Sequence, residues 1–213
     1  MITTTELEKR EIERFVRDMG ARRVLEIGAF RGETTRVLLD ATETAGGRVV
    51  VIDPMRWSSE ILRNGIGRHL ARIPRVLAPL ERWLDQASYE PAFWRNVGEA
   101  ARERVRLLRA LSTDPALLAS HDADLRTFDV VFVDGDHSHE GALHDLQHWG
   151  GRVRAGGLVL VHDATPRFPG VVRAIEAWAH PAGFEVTWPA RDSLCVIRVL
   201  AAHVQPHAAS RAA

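Results

Sequence analysis

Acidic and imidazole side chains cluster in two short segments of the chain, and each segment follows an apolar run. The first, at residues 134–141, contains two aspartates and two histidines, and the second, at residues 162–163, is a histidine–aspartate pair. Carboxylates bind divalent cations, and an imidazole or a carboxylate can take a proton from a reacting group. The residues that could do this chemistry are Asp134, His162 and Asp163 as metal ligands, and His137 and Asp136 as the general base.

A glycine-containing turn at residues 23–35 is the second feature that could bind a ligand. Its first half is an apolar run typical of a buried parallel strand. Gly28 and Gly32 then allow a tight turn, after which a helical pattern starts at Glu33. In α/β proteins a strand, a glycine turn and a helix N-terminus together bind ligands at the carboxyl edge of the sheet. The alternative is a turn that only links a strand to a helix.

The spacing of the glycines indicates which ligand this turn would bind. A dinucleotide-binding turn needs Gly-x-Gly-x-x-Gly, but alignment on Gly28 puts the first glycine at Glu26 and the third at Arg31. An anionic Glu26 would repel a pyrophosphate and attract a cation. S-adenosylmethionine carries an ammonium and a sulfonium and has no phosphate, so it suits this turn better than a dinucleotide does.

A further acid ends the next predicted strand, at residues 48–53. Asp53 lies about 20 residues beyond the turn, where an acid meets the ribose hydroxyls of a bound nucleoside. The alternative is a structural role, in which Asp53 caps the segment that begins at Pro54. The presence of Glu26 and Gly28 favours the ribose role.

Strands and helices alternate along the chain, and this alternation is typical of a parallel α/β sheet. Besides the helix after the glycine turn, predicted helices cover residues 6–19 (with Thr5 as the N-cap), 92–101, 141–153 and 170–179. Besides the two strands above, predicted strands cover residues 104–109, 127–134, 156–163, 184–188 and 193–200. The short link between the last two strands predicts an antiparallel hairpin at one edge of the sheet.

The sheet topology should bring the candidate residues together, because parallel strands end at the same edge. Gly28, Asp53, Asp134 and Asp163 all follow predicted strands. The topological switch point is expected between the first and the fourth strand. A cofactor would then lie over the first three strands, and the chemistry would take place over the fourth and fifth.

Three segments of the chain resemble those of a known enzyme family. Residues 25–34 (Leu-Glu-Ile-Gly-Ala-Phe-Arg-Gly-Glu-Thr) are similar to motif I of class I S-adenosylmethionine-dependent methyltransferases, in particular the catechol O-methyltransferase group. Residues 133–141 (Val-Asp-Gly-Asp-His-Ser-His-Glu-Gly) and 156–163 (Gly-Gly-Leu-Val-Leu-Val-His-Asp) resemble a bacterial branch of small-molecule methyltransferases. That branch includes enzymes that modify sugars of polysaccharides and macrolides. The resemblance extends from the first helix to Leu200.

The resemblance implies a Rossmann-like methyltransferase fold, with a mostly parallel seven-stranded sheet, helices on both faces and an antiparallel terminal hairpin. It also implies S-adenosylmethionine as the cofactor and a small molecule as the acceptor, of which a sugar is one candidate. The residues expected to bind the cofactor are Glu26, Gly28, Gly32, Thr34, Asp53 and Ser112.

The resemblance also bears on the metal and the base. Metal-dependent members hold an acid–acid or acid–amide pair where this chain has His162 and Asp163, and an imidazole suits Mn²⁺, Fe²⁺ or Zn²⁺ better than Mg²⁺. Catechol-type enzymes place a lysine base after their first metal-ligand aspartate, in the loop that here contains His137. A neutral imidazole accepts a proton near pH 7, whereas Asp136 would be a weaker base. The alternatives are acids that only cap loops or bind the cofactor, and a loop histidine that caps a helix or faces solvent.

Composition limits the class of protein. The chain has 213 residues and 46% hydrophobic content, which suits one domain, here residues 1–200 followed by a loose tail at 201–213. Its zero net charge suggests neither a nucleic acid nor an anionic membrane as a partner. The single Cys195 fits a reducing compartment, and the sequence shows no signal peptide or membrane span, so a cytoplasmic location is expected.

Residues 54–103 form an insertion that is either a lid or acceptor pocket, or extra packing.

The predicted function is transfer of a methyl group from S-adenosylmethionine to an oxygen of a small molecule, with assistance from a divalent metal. A nucleotide-dependent oxidoreductase is an alternative, against which Glu26 and Arg31 count. Further alternatives are a cephalosporin hydroxylase-like protein and a non-catalytic binding protein of the same fold. His144 and His148 lie opposite the predicted buried face of their helix, so they are expected in solvent or at the surface of a homo-oligomer.

Overall fold

The computed structural model describes residues 4–56, 88–189 and 193–200, and these contain a seven-stranded sheet. The strands are β1 Arg23–Ile27, β2 Arg48–Ile52, β3 Val105–Leu108, β4 Phe128–Val133, β5 Val153–Val161, β6 Glu185–Thr187 and β7 Cys195–Arg198. Their order in the sheet is β3-β2-β1-β4-β5-β7-β6. The first five strands are parallel, and β7 pairs antiparallel with both β5 and β6. The predicted fold class, including the antiparallel terminal hairpin, is confirmed.

Helices cover both faces of this sheet. They are α1 Glu6–Asp18, α2 Glu33–Ala41, α3 Glu90–Val97, α4 Pro115–Leu118, α5 His139–His148 and α6 Pro169–Ala179. Neighbouring residues of β1 point to opposite faces, as the period of a strand requires: Val24 packs in the core under α1, α2 and α3, and Leu25 packs in the core under α5 and α6. Both faces of the sheet are therefore buried from solvent, which explains the nearly continuous apolar runs of the central strands.

Local chemistry shifts several element boundaries from those expected. The helix expected at 92–101 ends at Val97, because Gly98 has a φ of 84° and the chain continues as a 3₁₀ turn. The helix expected at 141–153 begins at His139, because the Ser138 side chain accepts a hydrogen bond from the Gly141 amide and caps an earlier turn. Thr5 caps α1, as the sequence predicts.

Part of the insertion at 54–103 lies outside the described residues, as does the tail at 201–213. The portion outside the described residues, 57–87, includes two of the tryptophans of the insertion, Trp57 and Trp83. In the described portion, Phe93 is fully buried and the Trp94 ring packs edge-to-face against it at 5.0 Å. Within the described ranges this part of the insertion packs onto α2, and no helix there is long and apolar enough to cross a membrane.

Candidate active site

The glycine turn after β1 lies directly against the loop after β4. The Asp134 amide donates a hydrogen bond to the Ile27 carbonyl at 2.9 Å, and the Gly28 amide donates to the Ile52 carbonyl at 3.0 Å. Gly28 has a φ of 81°, and a Cβ at this position would lie 2.1 Å from the Asp134 carbonyl oxygen. Only glycine fits at this position, because the backbone of the turn lies so close to Asp134. The turn and the candidate metal ligands are therefore adjacent.

Asp53 is buried at the end of β2, where its carboxylate organises the turn. One carboxylate oxygen accepts hydrogen bonds from the amides of Ala29 at 2.8 Å and Phe30 at 3.0 Å. The other oxygen accepts from the Met55 amide and the Tyr89 hydroxyl, each at 2.6 Å. Since a carboxylate offers about four lone-pair sites, a ribose hydroxyl can bind Asp53 only by replacing one of these donors.

Glu26 lies beneath the turn with none of its surface exposed. Burial raises the pKa of Glu26 to about 8, despite a hydrogen bond from the Thr35 hydroxyl, and the nearby Asp134 and Asp53 raise the pKa further. This rise in pKa favours the protonated acid in the chain without ligand, whereas the sequence analysis expects an anionic Glu26. The pH dependence of stability tests which form is present. Thr35, which sequence reasoning missed, is the threonine that contacts Glu26.

The other residues expected to bind the cofactor also have partners within the chain. The Thr34 hydroxyl lies 3.0 Å from the Thr4 hydroxyl, and so ties α2 to the segment before α1. Gly32 precedes α2 with a φ of 78°, and a Cβ there would lie 2.8 Å from the ring of Phe93. The Ser112 carbonyl accepts a hydrogen bond from the Trp149 indole at 2.9 Å.

Asp145 is a buried acid on α5 that the sequence analysis did not single out. Burial raises the pKa of Asp145 to about 7, although a hydrogen bond from Ser112 opposes this rise. The carboxylate lies close enough to the loop after β4 that a Cβ at Gly135 would be 3.1 Å from its Oδ2. Ser112 is thus bonded to Asp145 on α5 and to Trp149, the residue that follows α5.

The three predicted metal ligands come together at the carboxyl ends of β4 and β5. Asp134, His162 and Asp163 each offer one ligand atom, and these atoms all lie within 4.8 Å of one another. His162 Nδ1 is 3.3 Å from Asp134 Oδ1 and 3.7 Å from Asp163 Oδ2. Asp163 has a φ of 55°, in the left-handed region that residues other than glycine adopt uncommonly, although aspartate enters it more readily than most.

The chemistry of this donor set fits a divalent cation. Two carboxylate oxygens and one imidazole nitrogen are ligands that first-row transition metals accept. The other nitrogen of the His162 ring, Nε2, faces the carboxylate of Glu8 at 3.5 Å. Metal-bound histidines usually donate this second N–H to a carboxylate or a carbonyl. The sequence analysis missed Glu8 as a member of this site.

His137 approaches the same cluster from the loop before α5. Its Nε2 lies 2.9 Å from Asp163 Oδ2 and 3.6 Å from Asp134 Oδ1, and its ring stacks on Phe168 with 4.6 Å between centroids. Burial alone would lower the pKa of His137, but the carboxylates of Asp134 and Asp163 raise it to about 9. This rise in pKa favours the imidazolium in the metal-free chain. The neutral imidazole that a base requires stays a prediction, which the pH dependence of turnover tests.

Asp136, the rival base, has a structural task in the same loop. Its two carboxylate oxygens accept hydrogen bonds from the Ser138 amide and the Ser138 hydroxyl, both at 2.9 Å. These bonds support the start of α5. Asp136 and His137 nevertheless both line a small cleft beside Asp134 and His162.

Comparison with known proteins agrees with this geometry. A family model described as a methyltransferase domain matches residues 25–164, a range that includes the glycine turn and the whole carboxylate–histidine cluster. The chain belongs to this methyltransferase family. The resemblance to class I methyltransferases is therefore confirmed, and the match counts against a nucleotide-dependent oxidoreductase. No curated protein is a significant match.

Several solved structures share the fold of this methyltransferase. The O-methyltransferase NovP is 20% identical with a TM-score of 0.60, and the alignment covers 93% of this chain and 83% of NovP. TomG from Streptomyces achromogenes, in complex with S-adenosylmethionine, is 17% identical with a TM-score of 0.58, covering 93% of this chain and 82% of TomG. CalS11, a TDP-rhamnose 3'-O-methyltransferase, is 14% identical with a TM-score of 0.56, covering 90% of this chain and 77% of CalS11. At these identities the likeness shows the fold alone.

Proposed function

We propose that this methyltransferase transfers a methyl group from S-adenosylmethionine to a hydroxyl oxygen of a small molecule, with a divalent cation held by Asp134, His162 and Asp163. The observation that carries the proposal is the position of this cluster, which lies directly beside the glycine turn at the carboxyl edge of the sheet. NovP and TomG are described as O-methyltransferases, and CalS11 as an enzyme acting on TDP-rhamnose. These descriptions support an oxygen acceptor and make a sugar one candidate.

The cofactor half of the proposed site is the turn between β1 and α2. S-adenosylmethionine supplies a methyl group that its sulfonium already activates. The chain's part is to align that group with the acceptor, and the fixed turn serves this purpose because Asp53 holds the amides of Ala29 and Phe30 in place. By resemblance, the proposed cofactor contacts are Glu26, Gly28, Gly32, Thr34, Asp53 and Ser112.

The acceptor half is the carboxylate–histidine cluster. A bound divalent cation would offset the charge of Asp134 and Asp163 and lower the pKa of an acceptor hydroxyl. We assign His137 as the base, because its Nε2 lies among the proposed ligands at the edge of the cleft. Asp136 is the rival, but both of its oxygens already bond Ser138.

Calorimetry with S-adenosylhomocysteine and NAD tests the cofactor part of the proposal. The chain should bind S-adenosylhomocysteine and bind NAD weakly or not at all. The catalytic part is tested with radiolabelled S-adenosylmethionine and a panel of nucleotide-linked sugars and catechols, with Mn²⁺ or with a chelator. Methyl transfer should fall on chelation and return with Mn²⁺. Tight NAD binding without S-adenosylhomocysteine binding would end the proposal, and full activity after exhaustive chelation would assign Asp134 and Asp163 to structural roles.

A further inference from the structure

A buried glutamate on α1 contacts His162 from the side opposite the carboxylate cluster. Glu8 is 1% exposed, whereas the side chain of Glu6 in the same helical turn is 83% exposed. The carboxylate of Glu8 points at the imidazole, with 3.5 Å between its Oε2 and His162 Nε2. Burial of a charged side chain costs free energy unless the charge is paired. An exposed acid such as Glu6 needs no specific role, but the buried Glu8 is expected to have one.

The carboxylate of Glu8 is held in place by two segments of the chain. Its Oε2 accepts a hydrogen bond from the Thr5 amide at 2.7 Å, within the capping box of α1. Its Oε1 accepts from the Ser193 amide at 3.0 Å and from the Ser193 hydroxyl. That hydroxyl also lies 3.3 Å from His162 Nε2. The acceptor that faces the imidazole is therefore fixed before any ligand binds.

The contacts of Glu8 suit a hydrogen-bond acceptor. Both of its carboxylate oxygens already accept hydrogen bonds, from the Thr5 amide and from Ser193. An oxygen that faces Nε2 at 3.5 Å is matched by a ring N–H, so the N–H of the ring points toward Glu8. Nδ1 is then left on the side of Asp134, 3.3 Å from its Oδ1.

We propose that Glu8 is a positioning residue of the metal site, which accepts the N–H of His162 Nε2 and thereby presents Nδ1 to a cation held by Asp134 and Asp163. This inference rests on the proposed function. It makes the first helix a part of the site, and it specifies a cation that takes an imidazole nitrogen, such as Mn²⁺. Removal of a carboxylate that orients a metal-bound histidine in this way typically lowers the metal affinity by about 10–100-fold.

Glu8 is also the N3 residue of the capping box, so a test must separate orientation of the ring from stability of the helix. Thr5→Ala removes the capping side chain but leaves the carboxylate of Glu8 and the Thr5 amide. Glu6→Gln removes an exposed acid from the same turn. These two variants are matched controls for a change at Glu8.

The experiment is a Mn²⁺ titration of the full chain, followed by electron paramagnetic resonance of the free ion. Glu8→Leu should weaken Mn²⁺ binding by about 10–100-fold. Glu8→Gln keeps an acceptor and should fall between the wild type and Glu8→Leu. Thr5→Ala and Glu6→Gln should bind Mn²⁺ like the wild type. Binding of S-adenosylhomocysteine, measured in each variant, checks that the fold is retained.

A spectroscopic readout tests the orientation of the ring itself. Pulsed paramagnetic resonance of bound Mn²⁺ should show ¹⁴N coupling from a directly bound imidazole in the wild type. The coupling should disappear in His162→Asn and weaken in Glu8→Leu. Persistence of the full coupling in His162→Asn would assign the nitrogen to another histidine and overturn the inference.

Two further outcomes would also overturn it. One is a Glu8→Leu variant that matches the wild type in both affinity and coupling, and the other is a Thr5→Ala variant that loses as much affinity as Glu8→Leu. If Glu8→Leu does not fold, Glu8→Gln decides: weaker Mn²⁺ binding supports the inference, and wild-type affinity overturns it. A wild type that binds S-adenosylhomocysteine but no Mn²⁺ is a distinct result, because it refutes the metal in the proposed function itself.

Discussion

The acid at the end of β2 and the acids at the ends of β4 and β5 have equivalent positions in the sheet but different partners. Asp53 accepts hydrogen bonds from three backbone amides and a tyrosine hydroxyl, all of them neutral donors. Asp134 and Asp163 have imidazoles as partners. The environment of Asp53 is complete without a ligand, whereas that of Asp134 and Asp163 depends on positive charge.

This difference explains why the two halves of the cleft suit different tasks. Burial alone would raise the pKa of Asp134, but His137 and His162 lower it, so the carboxylate stays ionised beside two imidazoles. A cation can take over the role that protons on these rings now play. The cofactor half, at the turn after β1, offers fixed geometry, because neutral donors already surround the Asp53 carboxylate; we call it the turn half. The acceptor half, at Asp134, His162 and Asp163, offers charge that can be redistributed; we call it the cluster half.

The largest expected effect is in the cluster half. His137→Ala should reduce turnover by about 10²–10⁴-fold, because it removes the proposed base, and should change the affinity for S-adenosylhomocysteine little. A base must be deprotonated to act, so turnover in the wild type should rise with pH, and His137→Ala should lack this rise. The measurement is methyl transfer against pH, with an acceptor found in the panel described above.

Asp136→Asn is the matched variant for this measurement. It should keep the rise of turnover with pH and part of the turnover, because Asp136 mainly supports Ser138 at the start of α5. If Asp136→Asn is inactive while His137→Ala keeps near-normal turnover and pH dependence, the base is Asp136. His137 would then have the structural role in this loop.

A second prediction concerns Gly28, where the two halves touch. Gly28→Ala forces a side chain into the left-handed region and to within 2.1 Å of the Asp134 carbonyl oxygen. The conformational and steric costs together are about 2–5 kcal/mol of the free energy of unfolding. Gly46→Ala is the control, since Gly46 has a φ of 62° with nothing within 4 Å of the added Cβ, and it should cost about 1–2 kcal/mol.

Urea denaturation of both variants measures this difference. Equal losses in the free energy of unfolding of Gly28→Ala and Gly46→Ala would mean that the close approach of the turn to Asp134 does not contribute to stability. The fold would then tolerate a separation of the two halves, and the affinities for S-adenosylhomocysteine and Mn²⁺ should be insensitive to Gly28.

The sequence predicts the sheet well because its signals are local. β-branched runs mark the strands, and the acids that follow them reach one edge once the strands are parallel. The contacts of Asp53 could not be predicted, because Tyr89 comes from an element 36 positions away. Glu8 did leave a signal: it lies four and eight residues before Ile12 and Val16, which are fully buried, so a charged side chain occupies the apolar face of α1.

A third prediction tests the completed environment of Asp53. Asp53→Ala leaves the amides of Ala29 and Phe30 without their acceptor, so the affinity for S-adenosylhomocysteine should fall by about 1–3 kcal/mol. Asp40→Ala removes an exposed acid on α2 that pairs with Arg36, and should leave the affinity unchanged. Calorimetry of both variants is the measurement, and unchanged affinity in Asp53→Ala would remove Asp53 from the proposed cofactor contacts.

The effect that develops most gradually is at Glu26, because it builds up with pH. Its pKa is raised from 4.5 to about 8 in the folded chain, so the folded state keeps a proton that the unfolded state loses. Stability from this group is fully present below pH 4.5 and is lost as pH rises toward about 8, by up to about 1.4 kcal/mol per pH unit. Glu26→Gln has no such proton to lose, so the wild type should lose stability relative to it across this range.

Urea denaturation of the wild type and Glu26→Gln between pH 5 and 8 measures this difference, since every other titrating group is common to both chains. Glu33→Gln, at an exposed acid in the first turn of α2, should follow the wild type at every pH. Parallel curves for the wild type and Glu26→Gln would mean that Glu26 is already ionised at neutral pH. The turn half would then carry a second buried negative charge beside the Asp53 carboxylate. The two halves would differ only in the donors that face their acids, which are neutral groups at the turn and imidazoles at the cluster.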